Sequence, residues 1–343
     1  SYLHANCAHC HRNGGGGNAD FFVMASIDLR ATQMVDAPAK HGSFYIPQAR
    51  IVSQHDPYRS LIYYRMATLG SGRMPRLGSR VVDQQGLDLI YQWIAKGAGV
   101  EAKPATTDSV VADQVAALQE DSLSEKQLAD QLSQLLASTV GATHLAHAID
   151  QKQLAARSRE AAIVQATQHE RPHIRDLFER YLPEQRRVKR LGTLVNAADI
   201  LKLSGDARTG EQLFFAQAGL QCRNCHRIAG KGQGVGPDLD KVGTRLTRGK
   251  ILESILEPSK TVDTRYLQYL CETTEGQILS GVIVKRNELA ISLRDAKGKV
   301  HIVLHDQIET LAAQAKSMMP ELLTRDLTAQ QLADLLDYLS QLK

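Results

Sequence analysis

Two short segments carry the most specific chemistry in the chain. "NCAHCHRNGGGG", residues 6–17, holds Cys7, Cys10 and His11, and "CRNCHRIAGKGQGVGPDL", residues 222–239, holds Cys222, Cys225 and His226 in the same spacing. Four of the five cysteines fall in these two CxxCH units, leaving Cys271 alone. Five cysteines and twelve histidines scattered over 343 positions would produce roughly 0.0025 such units by chance. Two are therefore no accident.

Spacing separates the three chemistries that use paired cysteines. A structural zinc ion takes four nitrogen or sulfur ligands. Cys7, Cys10, His9 and His11 cannot all turn toward one ion from so short a segment, and the second unit has no nearby fourth ligand. A redox CxxC opens a helix after a strand, and neither unit follows one. In CxxCH the two thiols form thioethers with the vinyl groups of haem while the adjacent imidazole reaches the iron. The expectation is two covalently bound haem c groups, attached at Cys7, Cys10, Cys222 and Cys225, with His11 and His226 as proximal ligands.

The sixth iron ligand is sought downstream, where a thioether stands before proline. "GSGRMPRLGS" offers Met74, and "AKSMMPELL" offers Met318 and Met319. Pro75 and Pro320 keep the preceding residue extended, so its side chain can project rather than lie in a helical turn. Met319 is favoured over Met318 because, like Met74, it directly precedes proline. His55 in the first half and His301 and His305 in the second are rivals, read as surface or hydrogen-bonded histidines.

These ligands need elements to hold them. Residues 207–218 read as a helix delivering the second motif, with Leu213, Phe214 and Ala218 on one face and Thr209 as N-cap. The glycine-rich runs after both motifs let backbone pass close to a flat ligand. Amphipathic helices are expected over Gln84–Lys96 and Ala329–Leu342, each after its methionine. The order helix, CxxCH, loop, Met, helix is that of a small monohaem cytochrome c. Ser1–Asn6 is too short to form the leading helix, so the natural protein is expected to extend upstream of Ser1. Between Lys103 and about Ser204 the apolar spacing is helical, with Ser124 as a cap. From Pro258 to Met318, alternation at Tyr266/Gln268/Leu270 and runs at Gly281–Val284, Ala290–Leu293 and Val300–Leu304 indicate three to five antiparallel strands.

The fold expected is thus mainly α. Two cytochrome c domains, residues 1–100 and 205–343, are joined by a helical linker region, 101–204, and a small antiparallel β insertion lies in the second at about 264–312. Composition agrees with a folded chain poor in aromatics, at 43% hydrophobic, 23% charged and 5% aromatic residues. The net charge of +4 is mild and no nucleic-acid motif is present, so nucleic acid is not an expected partner. No apolar run is long enough to span a bilayer.

With the motifs placed, two resemblances emerge. From about Pro172 to Leu342, "GDARTGEQLFF", "CRNCHRIAGKGQGVGPDL", "ILESILEPSKTVD" and "SMMPELLTRDLTAQQLADLLDYL" resemble the haem-binding cytochrome c domain of large multidomain proteins of planctomycetes and verrucomicrobia. Residues 1–97, with "SYLHANCAHCHR" and "YYRMATLGSGRMPRLGS", are similar to the cytochrome module fused to β-propellers of the sugar-dehydrogenase type. The resemblance implies the same thioether cysteines and proximal histidines, with Met74 and Met319 as distal ligands. It also implies a periplasmic or otherwise extracytoplasmic electron carrier whose partners are redox proteins, a dehydrogenase domain or subunit among them. Electron transfer without bond chemistry of its own is the expected function. The alternative is a dihaem peroxidase-type enzyme or the electron-accepting portion of a quinoprotein dehydrogenase.

Overall fold

The computed structural model describes residues 2–12, 19–40, 42–76, 81–99, 109–216, 220, 222–296 and 298–343. The chain divides into two compact units, Ser1–Val188 and Lys189–Ala216 with Leu220–Lys343. Among the described residues no helix is long and apolar enough to cross a membrane.

The first unit opens with α1 (Tyr2–Cys7), followed by α2 (Leu61–Ala67) and α3 (Gln84–Ala95). Six residues form a helix here, against expectation, because tertiary contact replaces length. Tyr2 lies on α3 at Gly86, where a Cβ would come within 2.2 Å of the phenol oxygen. The Tyr2 hydroxyl donates to Asp83 at 2.8 Å, and Asp83 in turn caps α3 through the Gly86 N–H at 3.0 Å.

Next come α4 (Ser109–Ala116), α5 (Glu125–Leu136), α6 (Thr139–Asp150), α7 (Ala156–Thr167) and α8 (Pro172–Phe178). Ser124 caps α5 in a capping box with Gln127, as the sequence indicates. These helices do not stand apart as a separate linker. Leu132, Leu135, Leu145, Ala162, Ile174 and Phe178 share one buried core with Phe44, Tyr63, Tyr64, Leu87 and Ile94. α6 is buried on nearly every side, the signature of a central rather than a bridging helix. Residues 101–108 of the expected linker lie outside the described residues.

In the second unit α9 (Ala197–Leu201) precedes α10 (Ala207–Phe215), and α11 (Val242–Arg245) and α12 (Arg248–Leu256) follow the motif. The chain ends in α13 (Ala329–Gln341). α10 is capped by Asp206, whose carboxylate accepts the Thr209 N–H at 2.6 Å; Thr209 lies inside the helix, and Ala218 lies outside the described residues. α10 crosses α13 at Gly210, and Phe214 packs with Leu332, Leu335 and Leu336 in a second core.

The expectation of a mainly α chain with a small β insertion is corrected here. Helix occupies 43% and strand 14%, and the strands build a core element. They are β1 (Leu267–Thr273), β2 (Ile278–Arg286), β3 (Ala290–Arg294), β4 (Val300–Leu304) and β5 (Ile308–Ser317), in one antiparallel sheet of order β4-β3-β2-β1-β5. Register shifts interrupt β1–β5 and β2–β3 pairing, and such irregularities bend a sheet. The sheet thereby encloses its own core of Cys271, Ile291, Leu293 and Val303. β5 extends past residue 312, and over residues 313–317 it has none of the β-branched residues that signal a strand.

Candidate functional site

Both CxxCH units adopt the same backbone turn. In the first, which leaves α1, the N–H groups of Cys10 and His11 donate to the Cys7 carbonyl at 3.2 and 2.9 Å. In the second, the N–H groups of Cys225 and His226 donate to the Cys222 carbonyl at 3.1 and 2.9 Å. One helical turn sets residues three apart on a common face, so it can present two sulfur atoms together. All four thiols are free. Burial, with Cys10 adding to it, pushes the Cys7 thiol up to about 11. Burial likewise pushes Cys222 up to about 12 and raises Cys225. Protonated thiols of this kind are not the low-pKa nucleophiles of a dithiol oxidoreductase. Among the described residues no three His, Cys, Asp or Glu side chains form a group able to hold a metal ion, so the tetrahedral set of a zinc site is not assembled there.

The second motif is held by the loop that follows it. The Gly236 N–H donates to the Cys225 carbonyl at 2.7 Å, and the Gln233 N–H to the Arg223 carbonyl at 3.1 Å. The loop turns back so far that a Cβ on Gly236 would stand 2.9 Å from the His226 ring; glycine is required by that approach. Pro237, next in sequence, accepts a hydrogen bond from His226 Nδ1 at 2.9 Å. A carbonyl can only accept, so Nδ1 carries the proton and Nε2 keeps its lone pair for a metal. Burial lowers the His226 pKa against the opposing effect of that bond, which favours the neutral, ligating form. From β3, Arg294 donates to the Gly234 carbonyl at 2.7 Å. Beside the motif a groove of about 540 Å³, lined by Arg208, Gln212, Phe215, Arg223 and Gly232 among others, has the size of a small-ligand site.

The first motif is held differently. The His11 ring stacks on Phe21 with centroids 4.3 Å apart, and its carbonyl accepts the Val23 N–H at 3.0 Å. His11 Nδ1 is buried without a hydrogen-bond partner among the described residues, which exclude 13–18. Burial lowers the His11 pKa, and the charge of Arg65 adds to the effect.

Arg65 also positions Met74. Its carbonyl accepts the Met74 N–H at 2.9 Å, while its guanidinium lies over Phe44 at 4.6 Å and donates to the Gly72 carbonyl at 2.8 Å. The same loop is pinned to α8 through the Leu69 N–H and the Asp176 carbonyl at 3.1 Å. Met319 stands two residues past the end of β5, its N–H donating to Ser317 Oγ at 3.1 Å. Met74, Met318 and Met319 are all half-buried.

The rival histidines are engaged elsewhere. His55 Nδ1 donates to the Ala95 carbonyl at 3.1 Å, His301 Nε2 to Asp295 at 2.9 Å, and His305 Nε2 to the Asn287 carbonyl at 2.9 Å. Sequence reasoning missed Phe21, Arg65 and Arg294, since nothing in their local pattern marks them. The chain matches no known family model and no curated protein.

Proposed function

We propose that the chain is a dihaem c-type cytochrome that carries electrons between redox proteins in an extracytoplasmic compartment. What supports it best is the identical turn of two CxxCH units, one of which fixes its imidazole tautomer through Pro237. Cys7 and Cys10 would hold one haem and Cys222 and Cys225 the other, with His11 and His226 on the proximal side and Met74 and Met319 on the distal side. Bound haem would supply a one-electron iron couple, with the His and Met side chains as its protein ligands. The protein's share is to fix the imidazoles, to aim the thioethers and to shape the surroundings. Gly236 and Pro237 set the His226 ring, while Arg65 and α8 set the Met74 loop. Thioether attachment belongs to an oxidising compartment, consistent with a chain whose fifth cysteine, Cys271, is buried in a sheet.

Pyridine haemochrome quantitation of wild type, Met74→Ala and Met319→Ala tests this reading. Two c-type haems per chain are expected, with each variant losing the near-infrared Met–Fe(III) band of one centre. A wild type that is high-spin at one centre, or that binds cyanide readily there, would replace the carrier with an enzyme of the peroxidase type.

A further inference from the structure

We infer that the two centres are unequal, and that a chain carrying a single electron keeps it on the N-terminal one. The inference rests on the dihaem reading and concerns what the protein does to each proximal imidazole.

At the C-terminal centre the Nδ1–H of His226 donates to the Pro237 carbonyl at 2.9 Å. Donation from Nδ1 pushes electron density toward Nε2, makes the imidazole a stronger donor and favours the oxidised, more positive iron. Gly236 seats the ring against that carbonyl, because no side chain intervenes. At the N-terminal centre the corresponding nitrogen of His11 is buried, has no acceptor among the described residues and lies in a ring stacked on Phe21. Its imidazole is the weaker donor.

Cations stand near both centres. Arg65 holds its guanidinium over Phe44 and bonds the Gly72 carbonyl, in the loop whose Met74 N–H it also accepts. Burial pushes the Arg65 pKa down to about 10, and its charge bears on His11. Arg65, like Arg294, is half-buried, and a cation so placed disfavours the more positive oxidation state nearby. Arg294 brings a cation to the loop of the other centre, and Asp295 follows it in sequence. Arg227, also on that loop, pairs with Asp238 at 3.3 Å. Arg208, Arg223 and Lys231 line the groove beside the second motif, with Glu211 among them, so charge alone does not rank the centres and the ranking rests on the two imidazoles. Oxidation of the C-terminal centre and reduction of the N-terminal one exchange one electron, and no proton need move.

Spectroelectrochemical titration of the full chain with both haems bound tests the ranking. Two one-electron waves are expected, with the electron at least tenfold more populated on the N-terminal centre, a separation of about 59 mV or more. Met319→His should displace the lower wave and Met74→His the upper. Coincident waves, or the reverse assignment, would overturn the inference. Arg65→Gln should lower the upper wave and leave the other in place, and Arg65→Lys should restore it; an upper wave unmoved by Arg65→Gln overturns the assignment of that wave to the N-terminal centre. Fewer than two haems per chain, or no displacement by either Met→His substitution, would sink the dihaem His/Met reading itself and the ranking with it.

Discussion

Gly210→Ala is expected to destabilise the second unit by about 3 kcal/mol or more, although helix propensity alone predicts a gain of about 1 kcal/mol. The contact decides the sign. At the α10–α13 crossing a Cβ on Gly210 would stand 2.1 Å from the Asp334 carbonyl oxygen and 2.7 Å from Tyr338 Cβ. Neither is the yielding end of a flexible chain, so the helices must separate. Separation loosens Phe214 from Leu332, Leu335 and Leu336, all buried in that core. Gly249 in α12 supplies the control. The nearest atom to its Cβ position is Leu201 Cδ1 at 4.0 Å, so Gly249→Ala should stabilise the same unit by about 0.5–1 kcal/mol. Urea midpoints of the two variants should move in opposite directions. A neutral or stabilising Gly210→Ala would mean that α10 and α13 do not pack in this way.

Acid should weaken the first unit well before it weakens an ordinary domain. His144 is pushed down to about 3, His147 to about 4 and His173 to about 4, with burial the leading cause in each. His144 stacks on Tyr58 at 3.3 Å, and His147 stacks on Tyr91 at 3.9 Å while sharing a 2.9 Å hydrogen bond with the Tyr63 hydroxyl. An unfolded imidazole titrates near 6.5, so between that pH and the folded values the unfolded state binds more protons. Stability is then complete above about pH 6.5 and falls as the pH drops toward 4. At pH 5 the loss is about 2 kcal/mol for each histidine, and about 6 kcal/mol for the three, comparable with the whole stability of a domain. Asp150, raised by burial, opposes this, but it is a single group. Trp93, the chain's one tryptophan, lies in α3 of this unit and reports its unfolding. The urea midpoint followed by its fluorescence should fall steeply between pH 7 and 5, and His147→Phe should flatten the slope. A midpoint constant over that range would show that these imidazoles are not held neutral.

How much of this was legible in the sequence depends on how local the cause is. The two CxxCH turns, the capping box at Ser124 and the bodies of α3 and α13 follow from spacing and side-chain chemistry within a few residues. α1 does not, because it is stabilised by Tyr2 meeting Gly86 more than eighty positions away. The helices between 109 and 178 show their periodicity, but periodicity does not say which core receives the apolar face, and here it is that of the first motif's own unit. β5 escaped because alanine and glutamine carry little strand preference; its pairing with β1 supplies what its composition lacks. Arg65 and Arg294 are ordinary surface types by sequence, and only the carbonyls of Gly72 and Gly234 give them a role.

The bond between the Leu69 N–H and the Asp176 carbonyl has a consequence for biosynthesis. Tyr64 makes a second bond of the same kind, its hydroxyl donating to the His173 carbonyl at 2.8 Å. The loop that bears Met74 therefore depends on a helix made about a hundred residues later, and at ordinary translation rates that interval lasts several seconds. During it the first CxxCH turn, built from contacts among neighbours, can already exist while the Met74 loop is not yet pinned. The segment made first thus acquires its final surroundings only after a much later helix has formed.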